Sequence, residues 1–278
     1  MNYIILLNSD KRLKLLSKLN PSKFIGLSAT ISKSQKVNLF NNLGEYYLYK
    51  LKLDDAIKMS ILPEPKIYLI ECKLDDVYKT HKFHWSKDKF VMCTENEFYT
   101  QISNRIEYFK LKYFNSQATI DKNKWLKCAT DRKRFLSNVK TKFVKQVLSK
   151  TTKRLICFTG SIEQSEELSE GLSIHSKISK VKRKELLEGF NKGDIDRLFA
   201  TGMLKEGINL ENIELGIIIQ LDNQERYFTQ VHGRVLRSSL PEQYVFYVKG
   251  TQDEVYLENI INNFDEKYIE NIKTENLT

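Results

Sequence analysis

The residues best suited to chemistry lie near the end of the chain, in Gln230-Val-His-Gly-Arg-Val-Leu-Arg237. Positions 230, 233, 234 and 237 recur at i, i+3, i+4 and i+7, so a helix would carry Gln230, Gly233, Arg234 and Arg237 on one face. A guanidinium is a planar fork of donors that pairs bidentately with phosphate oxygens, so two on one stripe suit a phosphoryl group as its charge develops. Gly233 lets a second surface come close. Alone, the stripe would equally suit two solvated arginines on a surface helix, so its surroundings decide.

Three upstream segments supply those surroundings. Phe199-Ala-Thr-Gly-Met-Leu-Lys-Glu-Gly-Ile-Asn-Leu210 reads as a strand that runs into a loop containing Thr201, Gly202, Glu206 and Gly207. Loops after the carboxyl ends of strands are where α/β sheets place ligands. Ile156-Cys-Phe-Thr-Gly-Ser161 is a second strand end, followed by a helix whose amino terminus suits a phosphate. Gly26-Leu-Ser-Ala-Thr30 is a third. His175, at a further strand end, reads as a partly exposed structural histidine.

The elements that must hold these residues follow from periodicity. From Leu155 onward short apolar runs alternate with amphipathic stretches: strands at 155–158, near 173–175, 197–201, 215–221 and 244–248, with helices over about 162–171, 179–190 and 224–237 between them. Ser161 with Gln164, and Thr251 with Glu254, have capping-box spacing. Asn191-Lys-Gly193 stops the basic helix. Such alternation predicts an α/β fold, a parallel sheet with right-handed crossovers, and places 215–221, the most apolar strand, at its centre. Further strands are predicted at 23–27, 46–51 and 67–72, and a helix where Leu136, Val139, Phe143 and Val147 recur among lysines.

Of the 278 residues 41% are hydrophobic, a globular composition, and the formal net charge is +10. Between Gln101 and Lys153 fourteen Lys or Arg face three acidic residues, a local charge of +11 that accounts for the whole excess. A concentrated basic stretch predicts a nucleic-acid partner. Neutralising six phosphates would give a log–log salt slope of about −4 on single strands and about −5 on duplex. The four cysteines form no C-x-x-C pair, which argues against a zinc site or disulfide framework, and no metal ligand set is expected. No segment reaches transmembrane length, so no membrane partner is expected.

In order, GLSAT (26–30), ICFTGS (156–161), FATGMLKEGINL (199–210) and QVHGRVLR (230–237) resemble motifs III, IV, V and VI of superfamily 2 helicases, of the DEAD/DEAH-like, type III restriction and phage group. The resemblance covers roughly 20–80 and 150–250. It implies a RecA-like second helicase domain over 151–278 and a remnant of the first RecA-like domain over 1–80. Residues 81–150 are left as a basic, partly helical linker or insertion. It also implies roles: Arg234 and Arg237 as arginine fingers toward the γ-phosphate of ATP, supported by Gln230; Glu206, Gly207 and Gly233 beside the nucleotide; Ser161, Thr201, Gly202 and His175 on the nucleic-acid backbone; Ser28, Ala29 and Thr30 coupling nucleotide state to domain closure.

A motor of this family also needs G-x-x-x-x-G-K-[ST] and an Asp-Glu box ahead of Ser28, and neither spacing occurs in the 278 residues. ATP and Mg²⁺ are therefore expected only in a site completed by another domain or chain, a P-loop-bearing amino-terminal half or a host helicase. The nucleic acid is expected to be DNA rather than RNA, in the cytoplasm of a bacterial or phage-infected cell. Two rival expectations stand beside this one: a non-catalytic nucleic-acid-binding or regulatory module, and an interaction module that pairs with a host helicase.

Overall fold

The computed structural model describes residues 4–6, 18, 25–27, 33–49, 51, 53–86, 88–201, 210–222, 241–262 and 264–276. Near the start, strands β1 (Ile4–Leu6) and β2 (Ile25–Leu27) pair in parallel, Ile5 opposite Gly26. Helices α1 (Lys33–Leu43) and α2 (Leu53–Lys58) follow. Among its described residues, the strand expected at 46–51 is not formed. Residues 46–49 adopt no regular structure, and the Tyr47 and Tyr49 side chains are exposed. β-propensity is largely a fit to a half-buried pleated surface, and none is offered here.

The main body is a seven-stranded, wholly parallel sheet. Its strands are β3 (Lys66–Cys72), β6 (Leu155–Thr159), β7 (Ser173–Ile174), β8 (Arg197–Thr201), β9 (Leu215–Ile218), β10 (Glu242–Val248) and β11 (Ile269–Lys273), in the order β11-β3-β10-β9-β6-β8-β7. β9 is the central strand, as its apolarity predicted. A separate antiparallel hairpin, β4 (His81–His84) and β5 (Phe90–Cys93), lies between β3 and the long helices.

The central strands are buried on both faces, and this is why they read as continuous apolar runs. Along β6 every residue is buried. Ile156 and Phe158 face one core, shared with Leu186 and Phe190 of α6 (Lys180–Lys192) and Leu257 and Ile260 of α7 (Gln252–Ile261). Leu155 and Cys157 face the other, built with Leu168 of α5 (Ile162–Ser169) and with Phe135, Leu136, Val139, Val144, Val147 and Leu148 of one long helix.

That helix is α4 (Thr119–Lys150, 32 residues), antiparallel to α3 (Glu95–Ser116). A reciprocal capping box opens α3: Thr94 Oγ1 accepts from the Glu97 amide at 3.1 Å, and Glu97 Oε2 accepts from the Thr94 amide at 3.0 Å. Gln117, at φ +52, turns the chain between the two.

Boundaries drawn at 80 and 150 from the sequence do not follow this sheet. β3 pairs with β10 from Lys66↔Glu242 to Cys72↔Val248. The second half of α4 forms one wall of the core. Both elements lie outside 151–278, yet belong to the same layered unit. Local pattern reports that a helix has an apolar face, not which sheet it covers.

Candidate nucleic-acid interface

Parallel strands deliver their carboxyl ends to one rim, and β6 and β8 are in register there, Thr159 opposite Thr201. The two hydroxyls are 2.8 Å apart, and Thr201 Oγ1 also donates to the Ser161 carbonyl at 3.0 Å. Ser161 and Thr201, 40 residues apart in the chain, are thus within one hydrogen bond of each other. Both are half-buried. Gly202, next along the chain, lies outside the described residues.

Ser161 caps α5, its Oγ accepting from the Gln164 amide at 3.1 Å. The other half of the expected box is absent, because the Gln164 side chain turns inward. Its Oε1 accepts from the Gly160 amide at 2.8 Å and from Ser137 Oγ at 2.7 Å. Its Nε2 donates to the Ser137 carbonyl and to Thr141 Oγ1, each at 2.8 Å. Four bonds satisfy a buried amide completely and fasten the Gly160-Ser161 turn to α4. Nothing in the sequence marked Gln164 beyond its cap spacing. The amino terminus of α5 is also already served by an anion of the chain: the Glu163 carboxyl is held below its usual range by its own backbone amide and by the Ser161 hydroxyl.

His175 follows β7 and is buried rather than partly exposed. Its Nδ1 accepts from the Lys177 amide at 3.3 Å, and its Nε2 is 3.3 Å from Glu166 Oε1 on α5. The Nε2 contact ties the end of β7 to α5, while Nδ1 is engaged locally by the Lys177 amide.

At least half of the basic stretch is paired with carboxylates of the fold. At least seven of its fourteen cations lie within ion-pair distance of carboxylates, namely Lys110, Lys112, Lys133, Lys140, Lys142, Lys145 and Lys153. Lys140 is fully buried against Asp253 at 2.7 Å and donates to the Phe246 carbonyl. Lys133 meets Asp222, just past β9, at 2.8 Å. Arg132 donates to Gln252 Oε1 at 2.9 Å. Here α4 runs across the outlets of β6, β9 and β10, and the charge expected to meet phosphates is used in part to seat the helix.

Residues 139–239 match the family described as helicase conserved C-terminal domain. This part of the chain is thus similar to the C-terminal domain of helicases. Among curated proteins, UvrABC system protein B of Synechococcus sp. (strain JA-3-3Ab) is 32% identical over 98 residues, 31% of this chain and 14% of that protein. The protein of the same name from Campylobacter hominis is 26% identical over 147 residues, 50% of this chain and 21% of its own length. Among solved structures, S. cerevisiae Dbp5 bound to RNA and ADP BeF3 superposes with a TM-score of 0.58 at 13% identity, over 99% of this chain and 60% of that one. A variant of Dbp5 in the same complex gives 0.61 at 12% identity. The fold is therefore the RecA-like one the sequence predicted. The matched region begins inside α4, whose second half forms one wall of the core.

Gln230, Gly233, Arg234, Arg237, Glu206, Gly207, and Ser28, Ala29 and Thr30 lie outside the described residues. The described segments bracket two of these groups: 202–209 runs from β8 to Leu210, and 223–240 from Asp222 to Pro241. Leu210 and Leu221 are buried in the same core cluster. Among the described residues no group of three His, Cys, Asp or Glu side chains is placed to hold a metal ion. A Mg²⁺ site does not fit the part of the rim that is described.

Proposed function

We propose that this chain is the rear portion of an ATP-dependent nucleic-acid helicase, acting on DNA, whose nucleotide site is completed by a partner domain bearing the P-loop and the Asp-Glu box. The observation that carries the reading is the rim. Ser161 and Thr201 are locked together at the ends of β6 and β8; the segment with Gly202, Glu206 and Gly207 follows β8, and the one with Gln230, Gly233, Arg234 and Arg237 follows β9, the neighbour of β6. One edge of one rigid sheet thus serves the segments that resemble motifs IV, V and VI.

In this reading the motif IV and V turns hold the strand backbone, and Arg234 and Arg237 face a triphosphate that the partner holds with Mg²⁺. Bound ATP supplies the phosphoryl group whose developing charge the two guanidiniums stabilise; such a residue contributes about 10³–10⁵ in rate where the rest of the site is in place. Ser28, Ala29 and Thr30 would sense closure of that cleft. Retention of both arginines favours the motor over a purely binding or regulatory module, which has no use for them.

The test is ATP hydrolysis in the presence of single-stranded DNA, by the chain alone and with a P-loop-bearing front half. The chain alone should show no DNA-stimulated turnover. The pair should turn over, and Arg234→Ala or Arg237→Ala should abolish that activity while DNA binding persists. Sustained turnover by the chain alone, or a reconstituted pair indifferent to both substitutions, would defeat the proposal.

A further inference from the structure

Once the paired cations are set aside, the remaining charge is not spread evenly along α4. At the sheet end Lys133, Lys140, Lys142 and Lys145 all have carboxylate partners. At the far end, among the described residues, Lys122, Lys124 and Lys127 have none within ion-pair distance. Two of them lie over rings instead: Lys122 Nζ is 5.8 Å from the Tyr113 centroid, and Lys124 Nζ 5.5 Å from that of Phe109.

The same end is rich in aromatics. Trp125 stacks on Tyr113 with centroids 6.1 Å apart and planes 30° apart, and lies 6.2 Å from Phe114. Tyr108, Leu111 and Phe114 recur every third residue along α3 and are 59%, 61% and 56% exposed. Trp125 of α4 meets Phe114 from one side, and the stripe is still more than half exposed. An exposed apolar stripe of this kind is costly in water unless it meets something. Unneutralised lysines beside it select an anionic occupant.

We infer that the tip of the α3–α4 hairpin, from Tyr108 to Lys127, is a second nucleic-acid contact and that its ligand is an unpaired strand. Bases stack on Tyr108 and Phe114, while Lys122, Lys124 and Lys127 meet the phosphates. A duplex would use the lysines but has no free base faces for the rings, whereas stacking on aromatic side chains is how proteins hold single strands without reading sequence. The inference rests on the reading of the chain as a nucleic-acid helicase and adds to it a contact outside the RecA-like sheet.

The experiment uses the whole chain and a fluorescein-labelled oligothymidylate of about fifteen nucleotides, within the span single-strand sites cover. Trp85→Phe leaves Trp125 as the sole tryptophan of the two. The oligonucleotide should then quench its emission saturably. Tyr108→Ser with Phe114→Ser should weaken binding at least about tenfold at unchanged salt slope, by loss of stacking. Lys122, Lys124 and Lys127→Gln should make the log–log slope shallower by about 2. The stripe is exposed, so the serine variant should fold; if it does not, the tryptophan and lysine readouts still decide.

Binding that leaves Trp125 emission unchanged and ignores the tip substitutions, yet is lost in Thr201→Val, would overturn the tip site and leave the rim reading standing. An equal loss on duplex would overturn the unpaired-strand assignment. A Trp125 response to anionic lipid vesicles with none to the oligonucleotide would replace it with a membrane contact. Failure of the parent chain to bind any nucleic acid at low salt would remove both readings.

Discussion

A Cβ placed on Gly160 would come 2.3 Å from Ser137 Oγ and 2.6 Å from Ser137 Cβ. The Gly160-Ser161 turn and α4 are in contact at a separation only glycine permits, and the Gln220 side chain closes the third side at 2.7 Å. Overpacking of this kind typically costs about 1–3 kcal/mol. Gly160→Ala should therefore lower stability by about 2 kcal/mol in urea unfolding and weaken nucleic-acid binding through the displaced Ser161. Removing only the hydroxyl, as in Ser137→Ala, should not rescue it, because Cβ remains. Ser137→Gly in the same chain should. Equal stability of Gly160→Ala and the parent would show that the turn and the helix are not in contact.

Lys140 and Asp253 form a buried pair that ties α4 to the end of β10. Asp253 Oδ2 accepts from Lys140 Nζ at 2.7 Å and from the Val248 amide at 3.2 Å. Removing one member of such a pair strands the other charge and costs about 3–5 kcal/mol, while replacing both by apolar groups can be neutral. Lys140→Met should unfold at markedly lower urea concentration than the parent. Lys140→Met with Asp253→Leu should recover part of the loss, although the Val248 amide stays unpaired. Unfolding midpoints of the three proteins decide it, and a single variant as stable as the parent would refute the role.

Much of this architecture is legible in the chain because burial on both faces leaves its mark on a strand. Leu155–Phe158 and Leu215–Ile219 are continuous apolar runs, and β9 is central. Leu136, Val139 and Val147 likewise mark the buried face of α4. What does not show is the partner of each face. Lys140 has the same side chain as Lys124, but one is sealed against Asp253 and the other lies by a ring, and a count of charge along the chain treats them alike. Gln164 reads as a cap residue from its spacing, yet its amide is spent on a helix that begins 45 residues upstream. The β3–β10 pairing joins residues more than 170 positions apart, beyond the reach of local periodicity.

The thiols offer a check on the core. Burial pushes the Cys72 thiol up to about 12, with nearby Lys140 lowering it only in part, and raises Cys157 by desolvation alone. An ordinary thiol ionises near 8.5. Above that pH the unfolded chain loses protons the folded chain keeps, so stability is complete below about 8.5 and declines as pH rises toward 12. At pH 8 the native protein should alkylate at the half-buried Cys128 well before Cys72 or Cys157, and base should sensitise it to urea. Fast labelling of Cys157 would contradict the sheet's two-faced core.

Gln164 gives the sharpest test of how the rim is held. Its oxygen takes two donors and its nitrogen serves two acceptors, all from Gly160, Ser137 and Thr141. Gln164→Leu keeps the volume roughly but leaves those groups unpaired, at about 1–3 kcal/mol for a buried group. Gln164→Glu is more informative. An ionised carboxylate would put a second acceptor against the Ser137 carbonyl, in a site with almost no solvent, so the introduced group should titrate above its normal range. Its folded pKa being raised, the variant is least damaged below the ordinary glutamate value and loses stability as pH climbs through the raised one. Gln164→Glu should thus lie closer to the parent at pH 4 than at pH 7 in urea unfolding, whereas Gln164→Leu should show a constant gap. A constant gap for both would mean that the amide nitrogen does not donate to Ser137, and that the Gly160-Ser161 turn is positioned by packing alone.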